Sequence, residues 1–252
     1  MKLQRRIYPA VILFALMLAA DAAAAEPCPG NPNALGTARV LKVEHGRYGT
    51  KHFPQTLPLG PREVVLTFDD GPNPPTTSMV LAALARDCVK ATFFLIGRHA
   101  EAHPDFVRKI AAAGHTIGYH SMTHPMTLVS ISYPAAVDNI ERGIKAVDKA
   151  ALPYHAAPFF RFPGFGSSPA LLAYMGRKGL AVFGADLWAS DWNVMTPQFE
   201  LSLVMQRLEQ AGRGIVLFHD TQMQTARMLP AFLAALKAGG WKVVHVVPAR
   251  QG

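Results

Sequence analysis

Five short runs of polar residues stand directly after apolar runs, and their side chains are of types that can do chemistry. Asp69 and Asp70 follow Val64 to Phe68. Adjacent carboxylates at a strand end project to opposite sides, so one can bind a metal while the other faces a substrate. The same Asp-Asp-Gly-Pro run also suits an ordinary turn. His120 and His124 follow the run ending at Tyr119, and a helical turn between them would let both imidazoles reach one ion. With Asp70 on a neighbouring strand end, they form a one-carboxylate, two-imidazole set of the kind that binds Zn²⁺ and similar metals. No Glu follows His120, so this is not the His-Glu-x-x-His protease arrangement.

Arg161 lies in the aromatic run Pro158 to Gly164, either at a surface edge or buried. A buried guanidinium needs a carboxylate, and Asp69 is the natural partner. His219 ends the run Ile215 to Phe218. It is either a satisfied core residue or a poised acid, and Asp191 offers a carboxylate that would keep it protonated and aimed. Asp186 takes no role in this scheme. No Gly-x-Ser-x-Gly elbow is present, and neither cysteine follows a strand run, so no covalent nucleophile stands out.

The elements that must position these residues alternate. Strands are expected at Ala38 to Glu44, Val64 to Phe68, Ala91 to Ile96, His115 to Tyr119, Pro158 to Phe162, Leu180 to Ala185, Ile215 to Phe218 and Lys242 to Val247. Helical spacing marks Thr76 to Arg86, Ala102 to Ala113 (with Phe106, Ile110 and Ala113 inward), Ala135 to Ala150, Leu171 to Arg177, Leu201 to Gln210 and Met228 to Lys237. Gly114, Gly179, Gly214 and Gly239-Gly240 stand where helices should stop. Strand–helix alternation implies an α/β fold with a parallel sheet and helices outside it. A doubly wound sheet and a closed barrel both satisfy the pattern. In a barrel, function belongs at the C-terminal ends of the strands.

Composition sets the frame. The 252 residues are 50% apolar and 17% charged, which suits one globular domain and excludes a disordered chain. The net charge is +8, yet no dense basic run with interleaved aromatics points to nucleic acid. Lys2, Arg5 and Arg6 precede an uncharged apolar run from Ile7 to Ala20, and a small-residue site ends at Ala25. Residues 1–25 therefore read as a secretory signal peptide rather than a membrane span. The exported product would be periplasmic or extracellular. There, Cys28 and Cys88 either pair or stand as unrelated thiols.

Taken in order, the five runs resemble the polysaccharide deacetylase family, which shares the NodB homology domain and is also called carbohydrate esterase family 4. The resemblance spans roughly Pro61 to Val247. It implies a distorted (β/α) barrel of about seven parallel strands, with residues 1–25 as signal, 26–60 as an N-terminal arm and 61–252 as the catalytic domain. It implies that Asp70, His120 and His124 hold a divalent metal, Zn²⁺ first, with Co²⁺ or Ni²⁺ as alternatives. It gives Asp69 the role of base, Arg161 that of orienting the base, His219 that of acid and Asp191 that of tuning the acid. Trp192 and Leu217 would wall the acetyl pocket, and the Gly164 N–H would hold the oxyanion. The implied substrate is an amino-sugar polymer, chitooligosaccharide or peptidoglycan, losing its N-acetyl groups. An O-acetyl esterase on a xylan-like polysaccharide and an inactive sugar-binding module are the competing readings. Two departures from the family pattern stand out. Gly164 replaces an aromatic after Pro163, and Leu187 to Ser190 looks like an inserted spacer.

Overall fold

In the computed structural model, residues 28–126 and 128–249 are described; the expected signal at residues 1–25 lies outside them. The strands are β1 (Thr37–Val43), β2 (Arg47–Tyr48), β3 (Glu63–Asp69), β4 (Thr92–Leu95), β5 (Thr116–Tyr119), β6 (Phe159–Phe160), β7 (Ala181–Phe183), β8 (Leu187–Trp188), β9 (Gly214–His219) and β10 (Lys242–Pro248). The helices are α1 (Pro74–Arg86), α2 (Gly97–Ala102), α3 (Pro104–Ala112), α4 (Tyr133–Ala151), α5 (Pro169–Arg177), α6 (Pro197–Ala211) and α7 (Met223–Ala238).

Seven parallel strands run in the order β8-β9-β3-β4-β5-β6-β7. No ladder joins β7 to β8; β2 pairs with β7 along that open edge. The sheet nevertheless curls round, because Asp186, three residues beyond β7, donates its N–H to Ile215 O on β9. The fold is thus the α/β, barrel-like architecture expected. β10 meets only the start of β3 and carries β1 on its other side.

Strand alternation divides the core in two. Val65, Phe94, Phe159, Phe183 and Ile215 pack with Val244 and Val246 in one cluster, inside the curl. Val64, Leu66, Phe68, Phe93, Val182, Val216 and Phe218 pack against the helices in the other. Two-residue periodicity along β3 puts Asp69 on the face of Val65 and Thr67, and in β9 it puts His219 on the face of Ile215 and Leu217. The register sets Asp69 directly opposite His219.

Several local expectations need correction. The helix expected over 102–113 is two helices, α2 and α3. Pro104 has no N–H to continue a helix, and His103 before it leaves helical geometry at φ −134, ψ 57. Within α3 the inward residues are Val107 and Ile110; Phe106 and Ala113 are only partly covered. The residue ending α6 is Gly212 at φ 70, whereas Gly214 begins β9. The Leu187 to Ser190 spacer contains β8, whose two residues pair with Val216 and Leu217.

Candidate active site

The cleft opens at the C-terminal ends of β3, β5 and β9, and it has a volume of about 470 Å³. Asp70 leaves β3 with φ 76, and its carbonyl accepts a hydrogen bond from His99 Nδ1 at 2.7 Å. His120 follows β5. His124 is brought back by an irregular turn rather than the helical one expected: Ser121 and His124 both have positive φ. Asn139 Oδ1 fixes that turn by accepting from Met122 N at 3.0 Å.

The result is a three-residue cluster. One donor atom each from Asp70, His120 and His124 lies within 4.8 Å of the others. Asp70 Oδ1 is 3.5 Å from His120 Nε2 and 3.3 Å from His124 Nε2, and this buried oxygen has no hydrogen-bond partner. His120 Nδ1 is 2.7 Å from Arg161 O; since a carbonyl only accepts, Nδ1 carries the proton and Nε2 presents a lone pair to the cluster. Burial pushes the His120 pKa down to about 3, keeping the ring neutral as a ligand must be. An orphaned buried carboxylate oxygen facing two imidazoles fits a small divalent cation.

Asp69 lies on one flank, buried, with Oδ2 3.7 Å from His120 Nε2. Its other oxygen accepts from Arg161 Nη1 at 2.7 Å. Arg161 is fully enclosed: it also donates to Thr67 Oγ1, Gly184 O and Phe183 O, and it lies 4.4 Å over the Phe94 ring. Every guanidinium nitrogen has an acceptor, which is what permits a buried charge. Burial pushes the Asp69 carboxyl above its usual range, against the pull of Arg161. That direction suits a proton acceptor working near neutral pH.

His219 occupies the other flank, with Nε2 3.9 Å from Asp70 Oδ2. Asp191 accepts from its Nδ1 at 2.8 Å and from its backbone N–H at 2.7 Å. Burial alone would lower this imidazole, but the hydrogen bond and charge of Asp191 outweigh it and bring the pKa to about 9. Behind Asp191, Thr225 Oγ1 lies 2.8 Å from Asp191 Oδ2 and 2.9 Å from Glu200 Oε1. One hydroxyl proton cannot serve two carboxylates. Burial raises Glu200 to about 7, so Glu200 is the group that supplies the second proton.

Gly164 lies in a tight turn with φ 54, and a Cβ there would come within 2.8 Å of Met126 O. Trp192, half exposed, and Leu217, buried, line the cleft. The aromatic wall that Gly164 lacks comes one residue later, from Phe165. The site also holds residues that the sequence reading passed over. Trp188 lies in β8, within the expected spacer, and its ring stands 6.3 Å from Phe165 and 6.0 Å from Trp192. His52 lines the same cleft from a loop that carries no motif. Asp186, left unassigned, is a clasp: its carboxylate accepts from Thr50 N, Thr50 Oγ1, Thr56 Oγ1 and Ile215 N at 2.6–2.8 Å.

A metal-binding cluster with a carboxylate on one side and a protonated imidazole on the other can cleave an unactivated acyl bond with water. That class of site meets its counterpart in known proteins. A family model described as polysaccharide deacetylase matches residues 57–183. A chitooligosaccharide deacetylase of Rhizobium leguminosarum bv. trifolii is 39% identical over 163 residues, covering 63% of this chain and 72% of the relative. One from Bradyrhizobium sp. (strain ANU 289) is 33% identical, covering 75% of this chain and 90% of the relative. The solved peptidoglycan deacetylase Bd3279 of Bdellovibrio bacteriovorus superposes with a TM-score of 0.77 at 32% identity, covering 86% of this chain and 61% of that longer one. The chain belongs to the polysaccharide deacetylase family.

Proposed function

We propose that this chain removes N-acetyl groups from N-acetylglucosamine units of a glycan, chitooligosaccharide or peptidoglycan, releasing acetate. The observation that carries the reading is the convergence of Asp70, His120 and His124 between Asp69–Arg161 and His219–Asp191. The three residues of the cluster would hold the metal. Their oxygen and two nitrogens favour Zn²⁺, with Co²⁺ and Ni²⁺ also suited. When bound, the ion supplies Lewis-acid polarisation of the acetyl carbonyl and acidifies water.

The chain's own groups do the rest. Asp69 takes the proton from the attacking water, and Arg161 holds that carboxylate in place. The Gly164 N–H donates to the developing oxyanion; such a donor is worth on the order of 10²–10³ in rate. Trp192 and Leu217 enclose the acetyl methyl. His219, kept protonated by Asp191, delivers its proton to the leaving amine nitrogen, because an amide nitrogen leaves poorly as an anion.

Residues 1–25 complete this reading as a cleaved signal, 26–60 as the arm and 61–252 as the catalytic unit. Export to the periplasm or cell exterior is supported by the disulfide between Cys28 and Cys88, which belongs to oxidising compartments. Among the described residues, no helix is long and apolar enough to cross a membrane.

The test is acetate release from chitin oligomers, peptidoglycan and acetylated xylan in parallel. A chelator should abolish release from the amino-sugar substrates, and added Zn²⁺ or Co²⁺ should restore it. Release from xylan alone would make the chain an ester hydrolase. Release from none, with sugar binding retained, would make it an inactive binding module.

A further inference from the structure

The stretch matched by the family model begins at residue 57, yet the cleft has a wall that comes from before it. Residues 49–56 form a compact loop. Gly49 O accepts from His52 N at 3.0 Å and Phe53 N at 2.9 Å, and Gly49 N donates to Gln55 O at 2.9 Å. The loop is docked where the ladder between β7 and β8 is missing. Thr50 at one end and Thr56 at the other both donate to Asp186, and Lys51 N donates to Ala185 O at 3.0 Å. Gly49, at φ +114, sits so close that a Cβ would lie 2.5 Å from Ala185 N. A side chain held by this loop is therefore held by the barrel.

That side chain is His52. Its ring stacks on Phe165 with centroids 3.9 Å apart and planes 19° apart. From the catalytic imidazole outward, rings follow one another: His219 to Trp192 at 5.9 Å, Trp192 to Trp188 at 6.0 Å and Trp188 to His52 at 6.2 Å. The rings stand edge-on or tilted to one another, at 88°, 63° and 45°, and line the cleft with aromatic surface on which individual sugar rings can stack. His52 stands three rings along that row from His219, stacked on Phe165 in the lining of the same cleft. We propose that His52 is a specificity-determining residue that contacts a sugar unit flanking the one deacetylated, so that the N-terminal loop reads the length of the glycan. This rests on the reading that an amino-sugar oligomer occupies the cleft. A contact made equally in ground and transition states appears in KM rather than kcat.

The experiment compares wild type, His52→Ala and His52→Phe, each checked for fold by thermal melting and for metal content. Steady-state acetate release is measured on N-acetylchitobiose and N-acetylchitotetraose. Binding of N-acetylchitotetraose to the metal-free proteins is followed by tryptophan fluorescence. His52→Ala should raise KM and weaken binding for the tetramer by about tenfold, a difference of about 1.4 kcal/mol. The effect on the dimer should be smaller, kcat should change less than twofold, and metal content should be unchanged. Wild-type behaviour in His52→Phe identifies stacking as the contact; loss in both variants identifies the polar ring edge. Unaltered tetramer KM and binding in both variants overturn the proposal. If wild type binds the tetramer but releases no acetate, the deacetylase reading fails while the binding comparison still decides the role of His52. If wild type neither binds nor reacts, both fall.

Discussion

At the residue scale, the two adjacent aspartates are chemically alike, and environment alone separates them. Asp69 is buried against Arg161, whereas Asp70 turns a partnerless oxygen toward two imidazoles. Asp70→Ala should therefore abolish metal uptake, read by elemental analysis of purified protein. Asp69→Asn should keep the metal and lose turnover by on the order of 10²–10⁴, the usual worth of general base catalysis. Full activity in Asp69→Asn would overturn the assignment of the base. The same variant should also cost stability, by about 3 kcal/mol, because Arg161 is left as a buried charge without its counter-charge. Glu200 offers a separate test. Its place in the chain Glu200–Thr225–Asp191 requires it to be protonated, and an amide at that position also donates to Thr225. Glu200→Gln should thus fold and turn over much as wild type does. Infrared difference spectra between wild type and this variant at pH 6, below the value of about 7, should isolate a protonated carboxyl belonging to Glu200, Asp220 being common to both proteins. A difference spectrum without that band would mean that Asp191 or Thr225 is arranged differently.

At the element scale, the ends of the strands away from the cleft carry their own polar pair. His115 Nδ1 accepts from Ala91 N at 3.2 Å, and His245 Nε2 lies 2.9 Å from Thr116 Oγ1, which already donates to Val246 O. Burial first, and then the charge of Lys90, push His115 to about 3 and His245 to about 4. Both are neutral in the folded chain, while in the unfolded chain they take up protons below about pH 6.5. Their effect on stability is therefore absent above pH 6.5 and grows as pH falls, reaching about 2 kcal/mol for each by pH 5. Denaturant midpoints at pH 7 and pH 5 should show this loss, and His115→Asn with His245→Asn should remove part of it. The strands holding these residues were legible because apolar runs alternate with helical spacing. The residues at strand ends were legible because the site is built from whole motifs: Asp69-Asp70, His120 and His124, Arg161 and His219 all lie in or next to a recognisable run. What escaped has physical reasons. β8 has only two residues, too few for a pattern, so Trp188 looked like spacer. The turn between His120 and His124 depends on left-handed residues and on Asn139 from α4, a contact that no spacing encodes. His52 reaches the cleft only because a loop folds across a missing ladder, and that is a property of the tertiary structure.

At the scale of the whole molecule, residues 28–56 are a strap, fastened at several points. The Cys28–Cys88 disulfide ties the first described residue to the turn after α1 across a separation of 60 residues. β1 then pairs in parallel with β10, Arg39 forms a two-pronged ion pair with Glu63, and Asp186 clasps Thr50 and Thr56. These fastenings share no residue with the cluster of Asp70, His120 and His124. Removing the disulfide should therefore weaken the fold without emptying the cluster. Cys28→Ser with Cys88→Ser should lower unfolding stability by about 2–4 kcal/mol, the usual worth of closing a long loop. Metal content, and kcat on a short substrate below the new melting transition, should hold. The interior fastenings hold the 49–56 loop in place, so the affinity for long oligomers should also survive in the folded protein. A double-serine variant that keeps its stability but loses metal would show that the strap supports the cluster directly, and the division between strap and catalytic unit would have to be redrawn.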